Sequence, residues 1–236
     1  MRGQRGAAPL KPALAGRFVQ IKEYSYMNIR LENNNDYLNV EELTRDAFWN
    51  LYRPGCDEHY LCHILREHKD FIRELDYIVE LNGKIVASIM YSYSMLIGED
   101  NEIIKTVSFG PLCVHPEYQR KGIATALIEK TKTIVKGMDI PAIIIYGDPH
   151  NYCKHGFRNG IDYQVSNMNG EYPLGLLVLE LKEGFFGGKK WKIKQSDVFS
   201  FDEEKAIEYD KKFPIKEKKY QYSQEIFKMN IRAFLR

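Results

Sequence analysis

The sequence predicts an α/β chain of the α+β kind: a central, mixed but mostly antiparallel twisted sheet flanked by helices, with a small C-terminal extension. Three observations carry that prediction. Residues 77–114 hold three period-two stretches separated by turn residues, residues 122–136 repeat at helical spacing, and Pro141–Tyr146 is a wholly apolar run.

Taken in order, the alternating stretch Asn28–Glu32 reads as a strand, and Asn33–Asp36 breaks it and offers caps for a helix over Tyr37–Trp49. A second helix follows Pro54–Gly55, with Asp57 and Glu58 where negative charge suits the helix dipole, and Leu61, Ile64 and Leu65 on one face. Tyr77–Leu81 and Lys84–Leu96 flank Asn82–Gly83, a pair that supplies the two positive φ angles of a tight I′ hairpin turn. Glu102–Val114 adds a third strand to this meander. Pro116 and Glu117 end it, and Gly122–Lys136 is a helix with Ile123, Leu127, Thr131 and Ile134 on one face, closed by Gly137. Pro141–Tyr146, apolar at every position, suits a strand buried on both faces and hence a parallel pairing. Gly147–Asp148–Pro149 opens a one- or two-turn helix ending at Gly156, and Tyr163–Ser166 and Leu174–Leu181 are expected as the last strands of the core.

Three regions are expected: a leader at 1–26, appended or disordered; a domain at 27–183; and an extension at 184–236, beginning at Gly184, Gly187 and Gly188. Trp191, Phe199, Phe201, Phe213 and Phe227 should pack the extension on the core, with a helix over Asp202–Asp210. The leader carries a charge of +4, which leaves −2 for the remainder, so the slight overall basicity makes no nucleic-acid footprint. No apolar run is long enough for a bilayer span. Four scattered cysteines, Cys56, Cys62, Cys113 and Cys153, make no disulfide framework, and a reducing cytoplasm is the expected location. Cys56, His59, Cys62, His63 and His68 crowd one segment without the paired spacing of a metal site, and no metal is expected.

The most informative stretch is Val107–Ala124, a strand that runs through a polar loop into a helix. The first turn of a helix leaves N–H groups unpaired at the positive end of its dipole, so a phosphate can be held there by main chain. Gly122 lets an anion approach the backbone and Ala124 keeps the next contact small, while Gln119, Arg120 and Lys121 add hydrogen bonds or charge at the rim. Neither a G-x-x-x-x-G-K-[ST] loop nor a G-x-G-x-x-G fingerprint is present.

Gln119-Arg-Lys-Gly122-Ile-Ala124 resembles the Q/R-x-x-G-x-G/A acetyl-CoA motif of the GNAT N-acetyltransferases, and Leu112-Cys-Val114-His-Pro116-Glu117-Tyr118 resembles the segment that precedes it. Tyr152-Cys-Lys154-His-Gly156-Phe157 resembles a second family motif, Y-x-K-x-G-F. The likeness spans residues 27–181 in element order and, with the C-terminal extension, is similar to a group of bacterial acetyltransferases.

The resemblance implies acetyl-CoA as co-substrate, its pyrophosphate over the amides of Gln119, Arg120, Lys121, Gly122, Ile123 and Ala124. It also implies a pantetheine arm paired with the main chain of Leu112, Cys113 and Val114. It implies direct transfer to a primary amine, with the backbone N–H of Val114 or Cys113 polarising the thioester carbonyl and Tyr152 protonating the leaving thiolate. No motif names the base; Asp57, Glu58, His59, His63 and His115 are candidates, and Trp49 and Tyr52 stand near them in sequence. The acceptor is expected to be a small-molecule amine. A peptide or protein N-acetyltransferase, or a non-catalytic acyl-CoA-binding regulatory module, is the alternative, and a homodimer accords with the family.

Overall fold

The computed structural model describes residues 27–236; the leader lies outside the described residues. The elements are β1 (Met27–Leu31), α1 (Tyr37–Phe48), α2 (Glu58–Leu65), β2 (Tyr77–Leu81), β3 (Lys84–Gly98), β4 (Ile103–Val114), α3 (Ile123–Gly137), β5 (Ala142–Tyr146) and α4 (Pro149–Tyr152). Then come β6 (Arg158–Asn159), β7 (Val165–Ser166), β8 (Tyr172–Pro173), β9 (Leu176–Glu180), β10 (Trp191–Lys194), α5 (Glu203–Asp210), α6 (Tyr222–Arg232) and β11 (Phe234–Leu235).

One mixed, mostly antiparallel sheet runs β1-β2-β3-β4-β5-β9-β6, and β8 and β11 form a separate pair. The hairpin between β2 and β3 turns on Asn82 and Gly83 with φ of 51° and 77°, as its sequence requires. β5 lies parallel to β4 and antiparallel to β9, which puts Ile143, Ile144 and Ile145 in the interior on both faces. On one face α3 lays Ile123, Leu127, Ile128 and Val135 over Val79, Val86, Ile89 and Val107; on the other, α1 and α2 cover the β3–β4 ladder.

Two expectations about the strands change. Tyr163–Ser166 is not one strand: Gly160–Tyr163 is a 3₁₀ turn, and Gln164, at φ 54°, interrupts the extended backbone before β7. Nor does the core close near Leu181. β10, with Trp191 and Ile193 buried between exposed lysines, pairs Trp191–Lys194 with Met95–Gly98 at the far end of β3, so the sheet continues past residue 183. Phe199 and Phe201 then pack with Leu61, Leu65 and Met90, and Phe213 meets the His59 ring edge-on at 5.1 Å.

The helices α1 and α2 are joined by buried charge. Arg66 binds Glu32 at 2.8 Å and also Glu41; Tyr209 of α5 donates to Glu41 at 2.6 Å, and Arg45 of α1 binds Asp210 at 2.6 Å. Asp36, expected to cap α1 with its side chain, instead turns its carboxylate to Arg30 at 2.6 Å and the Asn33 N–H at 2.9 Å.

Candidate active site

The site begins with an irregularity in β4. The register with β3 passes from Tyr91–Phe109 to Ile89–Leu112, so β4 carries one extra residue at Gly110–Pro111. Such a bulge bends a strand, and Pro111 has no N–H to offer a neighbour. The parallel ladder between β4 and β5 pairs Val107 with Ile143, ahead of the bulge; beyond it Ile144, Ile145 and Tyr146 keep pairing with β9 while β4 swings away.

Past the bulge, alternation decides where the β4 main chain points. The His115 N–H donates to the Val86 carbonyl at 2.9 Å, flanking the Ala87–Val114 pair, so Val114 is a non-hydrogen-bonded position and its own N–H and C=O face the opened side. Leu112, two residues back, faces the same way. The Gln119 amide donates to the Val114 carbonyl at 3.1 Å, which ties the loop to the strand end. Cys113 is placed differently from the sequence expectation. Its main chain turns to β3, and its buried thiol sits 3.4 Å from Thr44 Oγ1 on the α1 side, with burial pushing it up to about 11. Of the two, only the Val114 N–H faces the opened gap.

The loop that follows is built to expose N–H groups. His115 caps a 3₁₀ turn over Pro116–Tyr118 by accepting from the Glu117 N–H at 3.3 Å. Arg120 and Gly122 then take φ of 61° and 84°, and Gly122 becomes the N-cap of α3 with no side chain over the helix start. The first helical hydrogen bond runs from Ala126 N–H to the Gly122 carbonyl at 3.0 Å, so the N–H groups of Ile123, Ala124 and Thr125 precede any intrahelical partner. A Cβ on Gly122 would meet nothing within 4 Å: the space over these donors is open. Ile123 anchors the turn in the core, and the Lys84 and Lys121 ammonium groups lie 5.9 and 5.2 Å from the Tyr118 ring. This donor set suits a pyrophosphate.

Tyr152 closes the other side. Its ring lies 5.6 Å from Phe109 and 6.0 Å from Phe157, and it passes so close to Gly147 that only glycine fits there. Burial first, then Tyr52 and the charge of Asp148, raise its pKa well above that of a free phenol, so it holds its proton at neutral pH. Tyr52 comes from the loop between α1 and α2, its ring stacked on Phe227 of α6 at 4.6 Å, and burial with the charges of Glu58 and Asp148 pushes its phenol up to about 12. Glu58, half-buried at the start of α2, is raised by burial to about 7, against the opposing influences of its own main-chain N–H and of Arg53; the Asp57 N–H donates to its carboxylate at 3.1 Å.

The remaining residues of that segment are engaged elsewhere. Asp57 pairs with Arg53, Cys62 packs on Thr44, and His63 stacks on Tyr209 at 4.4 Å beside Glu41. His59 is buried 3.1 Å from Asp210, and desolvation lowers its pKa. Trp49 donates from its indole to the Glu217 carbonyl at 2.9 Å. His68 lies 2.8 Å from Asp197, a carboxylate it shares with Lys69. Sequence reading missed Asp148, Gly147 and Phe227 as parts of this site; only the Gly-Asp-Pro turn after an apolar strand hinted at the first two.

An opened parallel pair leading to an uncapped helix start, with a phenol opposite, is the scaffold of an acyltransferase. Residues 41–157 match the model of the Acetyltransferase (GNAT) family, and through this domain the chain belongs to that family. Among solved structures it is similar to the GNAT N-acetyltransferase YhbS from Escherichia coli in complex with CoA, at 19% identity and a TM-score of 0.64 over 74% of this chain and 92% of that one. It is also similar to a GNAT acetyltransferase from Brucella melitensis in complex with acetyl-CoA, at 20% identity and a TM-score of 0.58 over 74% and 98%. No curated protein matches. Among the described residues no helix is long and apolar enough to cross a membrane.

Proposed function

We propose that the protein is an acetyl-CoA-dependent N-acetyltransferase acting on a primary amine of a small molecule. The observation that carries this reading is the continuity of the site: main-chain groups of Leu112 and Val114 face the gap beside β5, and the gap runs onto the open N–H groups at Gly122–Thr125. The pyrophosphate would be held by the amides of the Gln119–Ala124 turn, with Arg120 and Lys121 at its rim, and the amide-bearing arm by Leu112 and Val114 as an added strand. Acetyl-CoA supplies the activated acetyl group. The Val114 N–H polarises the carbonyl, and Tyr152 donates the proton that the departing sulfur needs.

What supports a small acceptor over a peptide is the C-terminal strap. Ser223 and Gln224 of α6 hydrogen-bond the Leu51 and Asn50 carbonyls at 2.8 and 2.9 Å; the chain then crosses to β8, where the Leu174 N–H reaches the Ala233 carbonyl at 2.8 Å. The strap thus joins the α1–α2 loop to the segment beside Gly147. The test is thermal unfolding with acetyl-CoA, followed by thiol release in the presence of primary amines. No shift with a folded protein refutes the reading; a shift without thiol release from any amine turns it into a binding module.

A further inference from the structure

The C-terminal strap is fastened to the body by its polar side and turns its apolar side outward. Gln224, 1% exposed, donates from its amide to the Asn50 and Lys219 carbonyls at 2.9 and 3.0 Å, and Ser223 donates to the Leu51 carbonyl at 2.8 Å. Asn50 in turn donates to the Glu217 carbonyl at 3.0 Å and accepts from the Lys219 N–H at 3.1 Å. Phe227, stacked on Tyr52, is the apolar exception. Tyr222, Ile226 and Met229, at i, i+4 and i+7 of α6, make one stripe on the side away from Gln224, and they are 78%, 48% and 61% exposed. Tyr220 before the helix and Phe234 and Leu235 after it are exposed as well. A surface helix ordinarily buries such a stripe; here the fold leaves it outside.

The charge of the same segment decides what can cover it. Residues 215–236 carry Lys216, Lys218, Lys219, Lys228, Arg232 and Arg236 against Glu217 and Glu225, a charge of +4, whereas residues 27–214 carry −6. Lys216 is held by Asp46 and Lys228 by Glu225 at 3.4 Å; Lys219, Arg232 and Arg236 make no ion pair among the described residues. Lys228 and Arg232, four positions apart, form the row beside the stripe. A second copy meeting the stripe about a two-fold axis would set the +4 segment against itself. We propose that α6 and its flanks dock on a lipid bilayer bearing anionic headgroups, with Tyr222, Ile226 and Met229 at the acyl boundary and Lys219, Arg232 and Arg236 at the headgroups. A single outward ridge needs no complementary groove in a fluid partner, and Tyr220 and Tyr222, each an apolar ring with a polar tip, suit that boundary. The helix lies in the interface and does not cross it: its 11 residues span about 16 Å, against roughly 30 Å of hydrocarbon. The same surface repels the acidic remainder, so the strap is the side that docks. This face makes no use of the acetyl-transfer groups and stands or falls independently of them.

The experiment is flotation of the full chain with vesicles of phosphatidylcholine alone and of phosphatidylcholine with about one third phosphatidylglycerol, at about 0.1 M and about 0.5 M KCl. At the lower salt the wild type should partition onto the anionic vesicles about tenfold or more better than onto the neutral ones, and most of that preference should vanish at the higher salt. Ile226→Ser with Met229→Ser, and separately Lys219→Glu with Arg232→Glu, should each weaken the partition by about tenfold or more. All four side chains are exposed, so thermal unfolding midpoints should match the wild type, which separates lost docking from lost folding. The leader also carries +4; flotation that both strap variants leave unchanged would assign the binding to it and overturn the proposal. A wild type that floats with neither vesicle, or equally with both, would overturn it too. Light scattering without vesicles reads the other occupant: a dimer that Ile226→Ser with Met229→Ser converts to monomer would put a second copy on this face instead of a bilayer.

Discussion

The Tyr152 ring occupies the place where a side chain on Gly147 would begin: a Cβ there would lie 2.5 Å from Tyr152 Cε2. Gly147→Ala should therefore displace the ring and lower kcat as much as Tyr152→Phe does, by about 10²-fold or more. Both variants should keep the acetyl-CoA thermal shift, since neither touches the α3 start. Steady-state kinetics alongside that shift checks this; unaltered turnover in Tyr152→Phe would remove the phenol from the mechanism.

Gly122 separates conformation from charge. Gly122→Ala meets open space but must adopt φ 84°, so a loss of about 1 kcal/mol in stability is expected with cofactor binding retained. Gly122→Glu adds a carboxylate facing the pyrophosphate position. Acetyl-CoA at about 100 times its dissociation constant should stabilise the wild type by roughly 2.7 kcal/mol, and Gly122→Glu by far less. Thermal unfolding of the three proteins reads both effects.

Asp76 is buried beside Glu32, and desolvation followed by that neighbour raises its pKa, so the folded chain keeps a proton there that the unfolded chain loses above about pH 3.9. The stabilisation is complete below that pH and declines as pH rises towards the folded value. Asp76→Asn, which keeps the neutral shape, should flatten this decline and match or exceed wild-type stability at pH 8. Arg66→Met, by contrast, strands Glu32 and Glu41 and should cost about 3–5 kcal/mol. Urea unfolding at pH 5 and pH 8 distinguishes the two.

Phe227→Ala removes the ring that stacks on Tyr52. A loss of about 1 kcal/mol from the ring pair is expected, with KM for the amine raised and the acetyl-CoA shift unchanged. A change in acetyl-CoA affinity instead would show that α6 acts on the cofactor side.

The legible parts of this protein were local. Asn82–Gly83 names its turn because only certain residues tolerate two successive positive φ angles, and Ile143–Ile145 implies burial on both faces without reference to any partner. The helix-start turn at Gln119–Ala124 was readable for the same reason: its open donors are main-chain groups of consecutive residues. β10 was not legible, since Trp-Lys-Ile-Lys is too short a period-two run to distinguish from chance and its partner, Met95–Gly98, lies nearly a hundred residues away. Nor was α6, whose most buried residue is the polar Gln224, held by the Asn50 and Lys219 carbonyls rather than by apolar contact.

By itself, then, the sequence determined the sheet-and-helix order from β1 to α4 and the loop that turns into α3 at Gly122, because each depends on neighbours along the chain. Which way Cys113 turns, that Gly147 must be small, and that Tyr52 meets Phe227 were decided by tertiary structure alone. Their contacts join segments up to 175 positions apart, and proximity of that kind is set by how the bulged β4, the α1–α2 loop and the returning C-terminal strap pack, not by residue type or spacing.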